Sequence, residues 1–364
     1  MKTNRLDYTL LIVTLLLAAF GLLMVFSSSY YYAIDQMKGK THFFLTDLRW
    51  ILIGVVTMLI ASQVNYKVYR KLALPALIIS IALLIFVLLF GEFRNNAQRW
   101  IVIAGKDFMP AEIAKVGLIM FFSYSLEKNY TRLNQLSVLG VYVAIIATTV
   151  FLIMEQPNMS TAVIVAGIQC ILLFVAGLQW RYTLGVLAGG VAVAWMLVQK
   201  ASYRLDRWMA FMDPFKYKDD DSYQVIQSLY ALGTGGVAGV GLGMSTQNKL
   251  YIPEPQNDFI LATVGEELGF IGMVLLLIFF LILIYRCVKI AMNAPDLFSF
   301  FMASGITSML TLQIIMNFAV ATSSMPVTGV SLPFISYGGT SMVILMGSMG
   351  IMLNISKHCY SRGH

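Results

Sequence analysis

The chain has 364 residues, 59% of them hydrophobic and only 12% charged, with a net charge of +7. Soluble domains carry about 25% charged residues, so this composition excludes a soluble globular protein and points to a polytopic membrane protein. The basic residues are scattered between apolar runs, which fits membrane topology and excludes a nucleic-acid-binding module.

Lys2 and Arg5 precede an apolar run over 8–27. That run is nearer the ~20 residues of a full span than the ~7–15 of a signal-peptide core. No small-x-small cleavage site follows it, so it reads as a retained helix. Apolar runs of spanning length then recur at 48–64, 72–90, 110–126, 136–154, 160–177, 181–199, 262–285, 299–321 and 336–356. The expected fold is an all-α membrane protein of about ten transmembrane helices, forming one integral-membrane domain over 1–364. An even count puts both termini on one side.

Short connections on that side carry Lys67, Arg70, Lys71, Lys128, Arg132, Arg181, Arg286 and Lys289. The connections near 155–159 and 322–335 carry no Lys or Arg. Positive charge stays inside, so both termini are expected in the cytoplasm. Two outer segments depart from the rule. Residues 91–109 hold Arg94, Arg99 and Lys106, and the long loop 200–261 between helices 7 and 8 holds Lys200, Arg204, Arg207, Lys216, Lys218 and Lys249. Cations kept outside suit an anionic partner such as phosphate. Anchoring to lipid headgroups is the competing reading.

The fourth span opens on Pro110, which suits a first helical turn. Glu112 and Lys115 follow at i, i+3 and share a face, as an ion pair that locks helices together or orients a site. Upstream, Arg99-Trp100 sets a guanidinium beside a large ring, to hold phosphate and stack a sugar or simply to anchor at the interface. In the long loop, Val225, Leu229 and Leu232 recur at helical spacing and predict a short amphipathic helix at, or re-entering, the interface. Gly239, Gly241 and Gly243 have no βαβ unit around them, so they predict a flexible or close-packed backbone rather than a dinucleotide site.

The chain is organised around 239–272. There a polar loop with Pro253, Pro255 and Asn257 runs into an apolar helix, and Asp258 stands at the junction. An acid entering a membrane helix is a functional candidate. Asn257 as N-cap would put Asp258 in the first turn, where the helix dipole favours its ionised form. Glu266 and Glu267 lie about two turns on and should face a polar cavity or a partner charge. The run from Pro326 to Ser341 is rich in hydroxyls, prolines and glycines, as expected of irregular backbone lining a cavity. A serine nucleophile there, Ser336 included, lacks a nearby histidine base. The cysteines Cys170, Cys287 and Cys359 and the three histidines are too dispersed for a disulfide framework or a metal site.

Taken in order, Gln98-Arg99-Trp100-Ile101, Pro110 to Lys115, Gln156-Pro157, Tyr223-Gln224, Gln227-Ser228, Gly241-Leu242-Gly243, Pro253-Glu254, Asp258-Phe259-Ile260, Glu266 to Gly269 and Pro326 to Ser341 resemble the SEDS family (shape, elongation, division and sporulation). The resemblance covers nearly the whole chain, and Pro253 to Gln256 leans toward its FtsW and SpoVE branch. Asn158, Ser160, Asn248 and Asn257 depart from the usual family residues.

The resemblance implies a peptidoglycan glycosyltransferase of the bacterial plasma membrane, working on its extracytoplasmic face. Lipid II and the undecaprenyl-diphosphate-linked glycan are the implied substrates, within surrounding membrane lipid, and a class B penicillin-binding protein is the implied transpeptidase partner. Asp258 is the implied catalytic base. Arg99, Trp100, Lys106, Glu112, Lys115, Arg204, Arg207, Lys249, Glu267 and Ser336 are the implied substrate-binding set. No cofactor is called for, and use of a divalent cation stays open. A lipid II flippase and a non-catalytic scaffold of cell-wall synthesis are the competing classes.

Overall fold

A computed structural model describes residues 6–359 except 95–96, 104–105, 187, 191–207, 210, 215, 217–220 and 250. Its helices are α1 (Tyr8–Asp35), α2 (His42–Gln63), α3 (Tyr66–Lys71), α4 (Ala73–Phe90), α5 (Pro110–Asn129), α6 (Leu136–Met154), α7 (Met159–Val175), α8 (Asp221–Gly235), α9 (Ile260–Met292), α10 (Leu297–Ala321) and α11 (Gly339–His358). Seven of these are long and apolar enough to cross a membrane. Helix α7, with 17 residues, is shorter, and α5 carries charged residues at both ends. Nine of the expected spans fall on helices, several extending beyond the apolar run. The tenth, 181–199, lies largely outside the described residues.

The expectation of an all-helical chain needs one correction. Residues between α4 and α5 form a three-stranded antiparallel sheet of β1 (Glu92–Arg94), β2 (Ala97–Ile103) and β3 (Lys106–Phe108). The register pairs Arg94 with Ala97 and Ile103 with Lys106. With three residues each, β1 and β3 are too short for a period-two pattern to stand out, and the seven residues of β2, Ala97–Ile103, do not alternate apolar with polar.

Burial is what a lipid-solvated bundle requires. Leu52, Ile60, Ile78, Leu89, Val141, Phe151 and Leu281 are all more than half exposed. Polar Thr14, Ser80, Gln169, Gln313 and Asn317 are buried. Hydrocarbon solvates leucine as well as the interior does, so polar groups turn inward to find partners. Helix α2 packs mainly on α11, and α4 on α5. Small residues allow the close approach: a methyl at Gly350 would come within 2.3 Å of the Met58 carbonyl oxygen, and one at Gly117 within 2.2 Å of Ser80 Oγ.

Charged contacts tie the chain together at the end that holds its termini. Arg286 grips the Asp7 carboxylate through Nε and Nη2, at 3.0 and 2.5 Å to Oδ2. Asp296 forms a capping box with Ser299 at the start of α10 and accepts the Tyr66 hydroxyl at 2.7 Å. Burial opposes its charge, but the Ser299 backbone N–H and the Tyr66 hydroxyl prevail and hold its carboxyl below the usual range. A depressed pKa stabilises the fold above the unfolded value, near pH 4, and that stabilisation is lost as pH falls through the folded value. Thermal unfolding in detergent should therefore show a midpoint that drops below about pH 4, and Asp296→Asn should flatten that drop.

Candidate active site

The expected junction acid sits one step earlier than the sequence suggests. The N-cap of α9 is Phe259, and Asp258 lies just before it, in a turn rather than in the first helical turn. Asn257 does not cap. Its amide Nδ2 donates instead to Glu254 Oε2 at 2.6 Å. An amide can satisfy a neighbouring carboxylate as readily as a helix end, and here the carboxylate three residues back wins.

Asp258 is half-buried where two loops meet. Asn317 Nδ2, from α10, donates to the Asp258 carbonyl at 3.0 Å and to the Val330 carbonyl at 2.8 Å. One amide thus staples the 253–258 loop to the 326–338 loop. The Tyr337 backbone N–H closes a second staple onto the Gln256 carbonyl at 2.9 Å. Gly329 faces the carboxylate: a methyl there would come within 3.3 Å of Asp258 Oδ2, and its φ of 67° favours glycine. Asn317 thereby fixes the Asp258 backbone where the two loops cross.

The 236–248 segment is the platform beneath it. Helix α9 breaks at Gly269, with φ 65° and ψ −165°, a conformation essentially confined to glycine. Nine residues of helix place that break about 14 Å from the start of α9. The glycine loop packs into it. Phe270 and Ile271 backbone N–H groups donate to the Gly236 and Val237 carbonyls, and Val240 and Gly241 donate to the Glu266 and Glu267 carbonyls. A methyl at Gly239 would sit 2.2 Å from the Glu267 carbonyl oxygen, so Gly239 serves close packing, whereas Gly241 and Gly243 have room around them and carry positive φ of 103° and 75°. The irregular backbone here has its polar groups satisfied by protein, as a membrane demands. The predicted amphipathic helix is α8, whose Val225 and Ala231 pack in one cluster with Phe259 and Ala262.

The two acids of α9 look into this platform. Glu266 accepts the Ser245 hydroxyl at 2.5 Å and the Thr246 backbone N–H at 2.8 Å. Glu267 accepts the Ser27 hydroxyl at 2.6 Å, with Asn248 Nδ2 at 3.5 Å. Thr263 donates to Asn248 Oδ1 at 2.8 Å. Fully buried carboxylates are kept by such donors, so both acids hold the loop that leads to Asp258.

The other sequence candidates fall in three groups. Glu112 and Lys115 form the expected buried pair, 2.7 Å apart, and the Ser341 hydroxyl donates to Glu112 Oε2 at 3.2 Å. This pair ties α5 to the entry of α11. Losing one partner strands a buried charge, at a cost of about 3–5 kcal/mol. Lys115→Met is therefore expected to lower the thermal midpoint sharply, and the double variant Glu112→Leu with Lys115→Met should regain much of it.

Arg99 and Trp100 are neighbours on β2, whose successive side chains face opposite ways. Arg99 reaches the turn after α6, donating from Nε to the Gln156 carbonyl at 3.3 Å and from Nη2 to the Pro157 carbonyl. Ser336 is buried, and its hydroxyl accepts the Leu332 backbone N–H at 2.7 Å. Lys249 is exposed, with Nζ 5.9 Å from the Tyr31 ring centre. Lys106 lies on β3, and its side chain is outside the described residues, as are Arg204 and Arg207.

Three residues of the site carried little signal in the sequence. Asn317 is one asparagine in an apolar run. Asp47 is an acid at the head of α2, wholly buried beside Gly338. Glu254 was marked by the Pro253-Glu254 motif, but nothing in the sequence gave it a role. The departures Asn158 and Ser160 also find partners: Asn158 caps α7, and the Ser160 hydroxyl donates to the Thr328 carbonyl.

Fold and site together define a multi-pass membrane protein in which re-entering and crossing loops converge on one carboxylate. A family model described as "Cell cycle protein", covering FtsW, RodA and SpoVE, matches residues 7–361, and the chain belongs to that family. It is 38% identical to the "Probable peptidoglycan glycosyltransferase FtsW" of Trichlorobacter lovleyi, over 96% of this chain and 93% of that protein. It is 37% identical to "Stage V sporulation protein E" of Bacillus subtilis, over 99% of both. Among solved structures, a chain from "Structural coordination of polymerization and crosslinking by a peptidoglycan synthase complex" superposes with a TM-score of 0.82 at 25% identity, covering 98% of this chain and 99% of that one. Thermus thermophilus rod shape determining protein RodA gives 0.74 at 24% identity, with 98% of each chain covered, and bears on the fold alone.

Proposed function

We propose that this protein is a peptidoglycan glycosyltransferase that polymerises lipid II at the extracytoplasmic face of the plasma membrane. The names of its relatives support the reaction class. The observation that carries it here is Asp258, a half-buried carboxylate braced through its backbone where two loops meet. A sugar hydroxyl is a weak nucleophile, and a positioned carboxylate that takes its proton during attack speeds the step by ~10²–10⁴-fold.

In the proposed reaction the 4-hydroxyl of lipid II attacks the anomeric carbon of the growing chain. Its proton passes to Asp258, and the bond from that carbon to the diphosphate oxygen breaks. A single displacement inverts the α-linked donor to a β-linked product, and undecaprenyl diphosphate leaves. The leaving group gathers negative charge that fixed cations stabilise. Lys249 is a described cation on this loop, and Lys106, Arg204 and Arg207 are proposed with it. Arg99, engaged with two carbonyls, fixes the turn after α6. Glu112, Lys115, Glu267 and Ser336 shape the site, and Trp100 offers a ring face to the substrate. An apolar groove of about 530 Å³ between α2, α4, α5 and α11, lined by Ile60, Ala76, Val116, Met120 and Gly347, fits a lipid tail. A class B penicillin-binding protein is the proposed partner.

Purified protein, with and without such a partner, should convert labelled lipid II in detergent into glycan strands. Detergent removes sidedness, so a flippase or a scaffold yields no polymer, and folded protein that leaves lipid II monomeric overturns the reading.

A further inference from the structure

Glu254 is held in a conformation that glutamate avoids. Its φ is 46°, in the left-handed region, and it stands between Pro253 and Pro255. A following proline ordinarily steers a residue to extended backbone. Phe334 shares a left-handed φ, at 65°, but its ring is buried, so packing repays the strain. Glu254 is exposed and has no such return. Strained residues that the surroundings over-determine cluster at functional sites. Here the surroundings are the buried Pro255 and Gln256, the Tyr337 staple onto Gln256, and the turn closed by the Asn257 N–H on the Glu254 carbonyl at 3.0 Å.

Three polar groups come together here. The Asn257 amide donates to Glu254 Oε2 at 2.6 Å, and the Tyr32 hydroxyl, from the end of α1, reaches Oε1 at 3.4 Å. The long second contact leaves Oε1 with acceptor capacity. Asn257 keeps a second N–H and its carbonyl oxygen. An exposed carboxylate thus gathers with a half-buried amide and a half-buried phenol beside Asp258. A diphosphate is the wrong ligand for them, because none is cationic and the carboxylate repels it. Neighbouring hydroxyl or acetamido groups of a sugar ring are the right one, since they both donate and accept.

We propose that Glu254, Asn257 and Tyr32 form a subsite for the acceptor sugar, binding the ring beside the hydroxyl that Asp258 deprotonates. The inference rests on the glycosyltransferase reading. It also orients the substrate, with sugar hydroxyls toward Glu254 and the diphosphate toward cations such as Lys249.

The decisive variant is Glu254→Gly, because glycine accepts a left-handed φ without strain and removes only the side chain. We expect a KM for lipid II raised about tenfold or more, a kcat within about threefold, and a thermal midpoint equal to or above that of the parent. Glu254→Gln should fall between the two. Direct binding to detergent-solubilised protein gives a readout that does not need turnover. Glu254→Gly should weaken labelled lipid II but leave undecaprenyl diphosphate, which has no sugar, unchanged. Unaltered lipid II affinity, or equal weakening for both lipids, overturns the subsite. A parent protein that binds lipid II in this pattern yet makes no polymer would leave the subsite standing and remove the reaction.

Discussion

Asp258→Asn is expected to reduce lipid II polymerisation by about 10²–10⁴-fold, the usual contribution of a positioned general base. The fold should be indifferent to the change. Asparagine has the same shape, and the staple from Asn317 to the Asp258 backbone carbonyl survives the change. Lipid II affinity should also hold, because the acid acts on a proton in flight. The measurement is strand formation on a gel beside a thermal melt in the same detergent. Near-parental polymerisation with a parental melt would remove Asp258 from the chemistry. A melt that collapses along with activity would make it a structural acid. Normal melting with lost turnover is the pattern a base requires.

Gly269→Ala is expected to be the most damaging small change in the protein. Its conformation costs a residue with a side chain about 1–3 kcal/mol by itself. A methyl there would also come within 2.3 Å of the Gly239 backbone nitrogen. Neither partner can step aside, because Phe270 and Ile271 are tied to the carbonyls of 236 and 237. The loop would have to lift off the break. Glu266 and Glu267 would then lose donors worth about 1.5–3 kcal/mol per charged bond, inside a bilayer that offers no water in exchange. A lower melting midpoint, protease cleavage within 236–258 and loss of polymerisation should appear together. Gly233→Ala is the control. It lies in α8 with open space around it, and helical Gly→Ala changes stabilise by about 0.5–1 kcal/mol. Equal tolerance of both substitutions would mean that the break and the loop do not act as one unit.

Much of this protein was legible in one dimension because the bilayer is so severe a solvent. A run of spanning length can do little but form a helix, since each backbone N–H and C=O must find its partner within the segment. The buried Glu112–Lys115 pair was legible for the same reason: two opposite charges at i, i+3 in an apolar stretch have each other as the nearest relief. Asp258 stood out because an acid at a membrane boundary is costly without a purpose.

What surrounds that acid was decided only in three dimensions. Arg99 reads as a phosphate ligand until the fold brings two carbonyls beside its guanidinium. The sheet at 92–108 has two strands of three residues and a central strand that does not alternate apolar with polar. Helical and spanning propensities act over neighbours in the chain and are written there. Partners such as Asn317 for Asp258, Ser27 for Glu267 and Tyr32 for Glu254 lie 59, 240 and 222 residues apart. Close contacts between such distant positions come from packing, which no local pattern encodes.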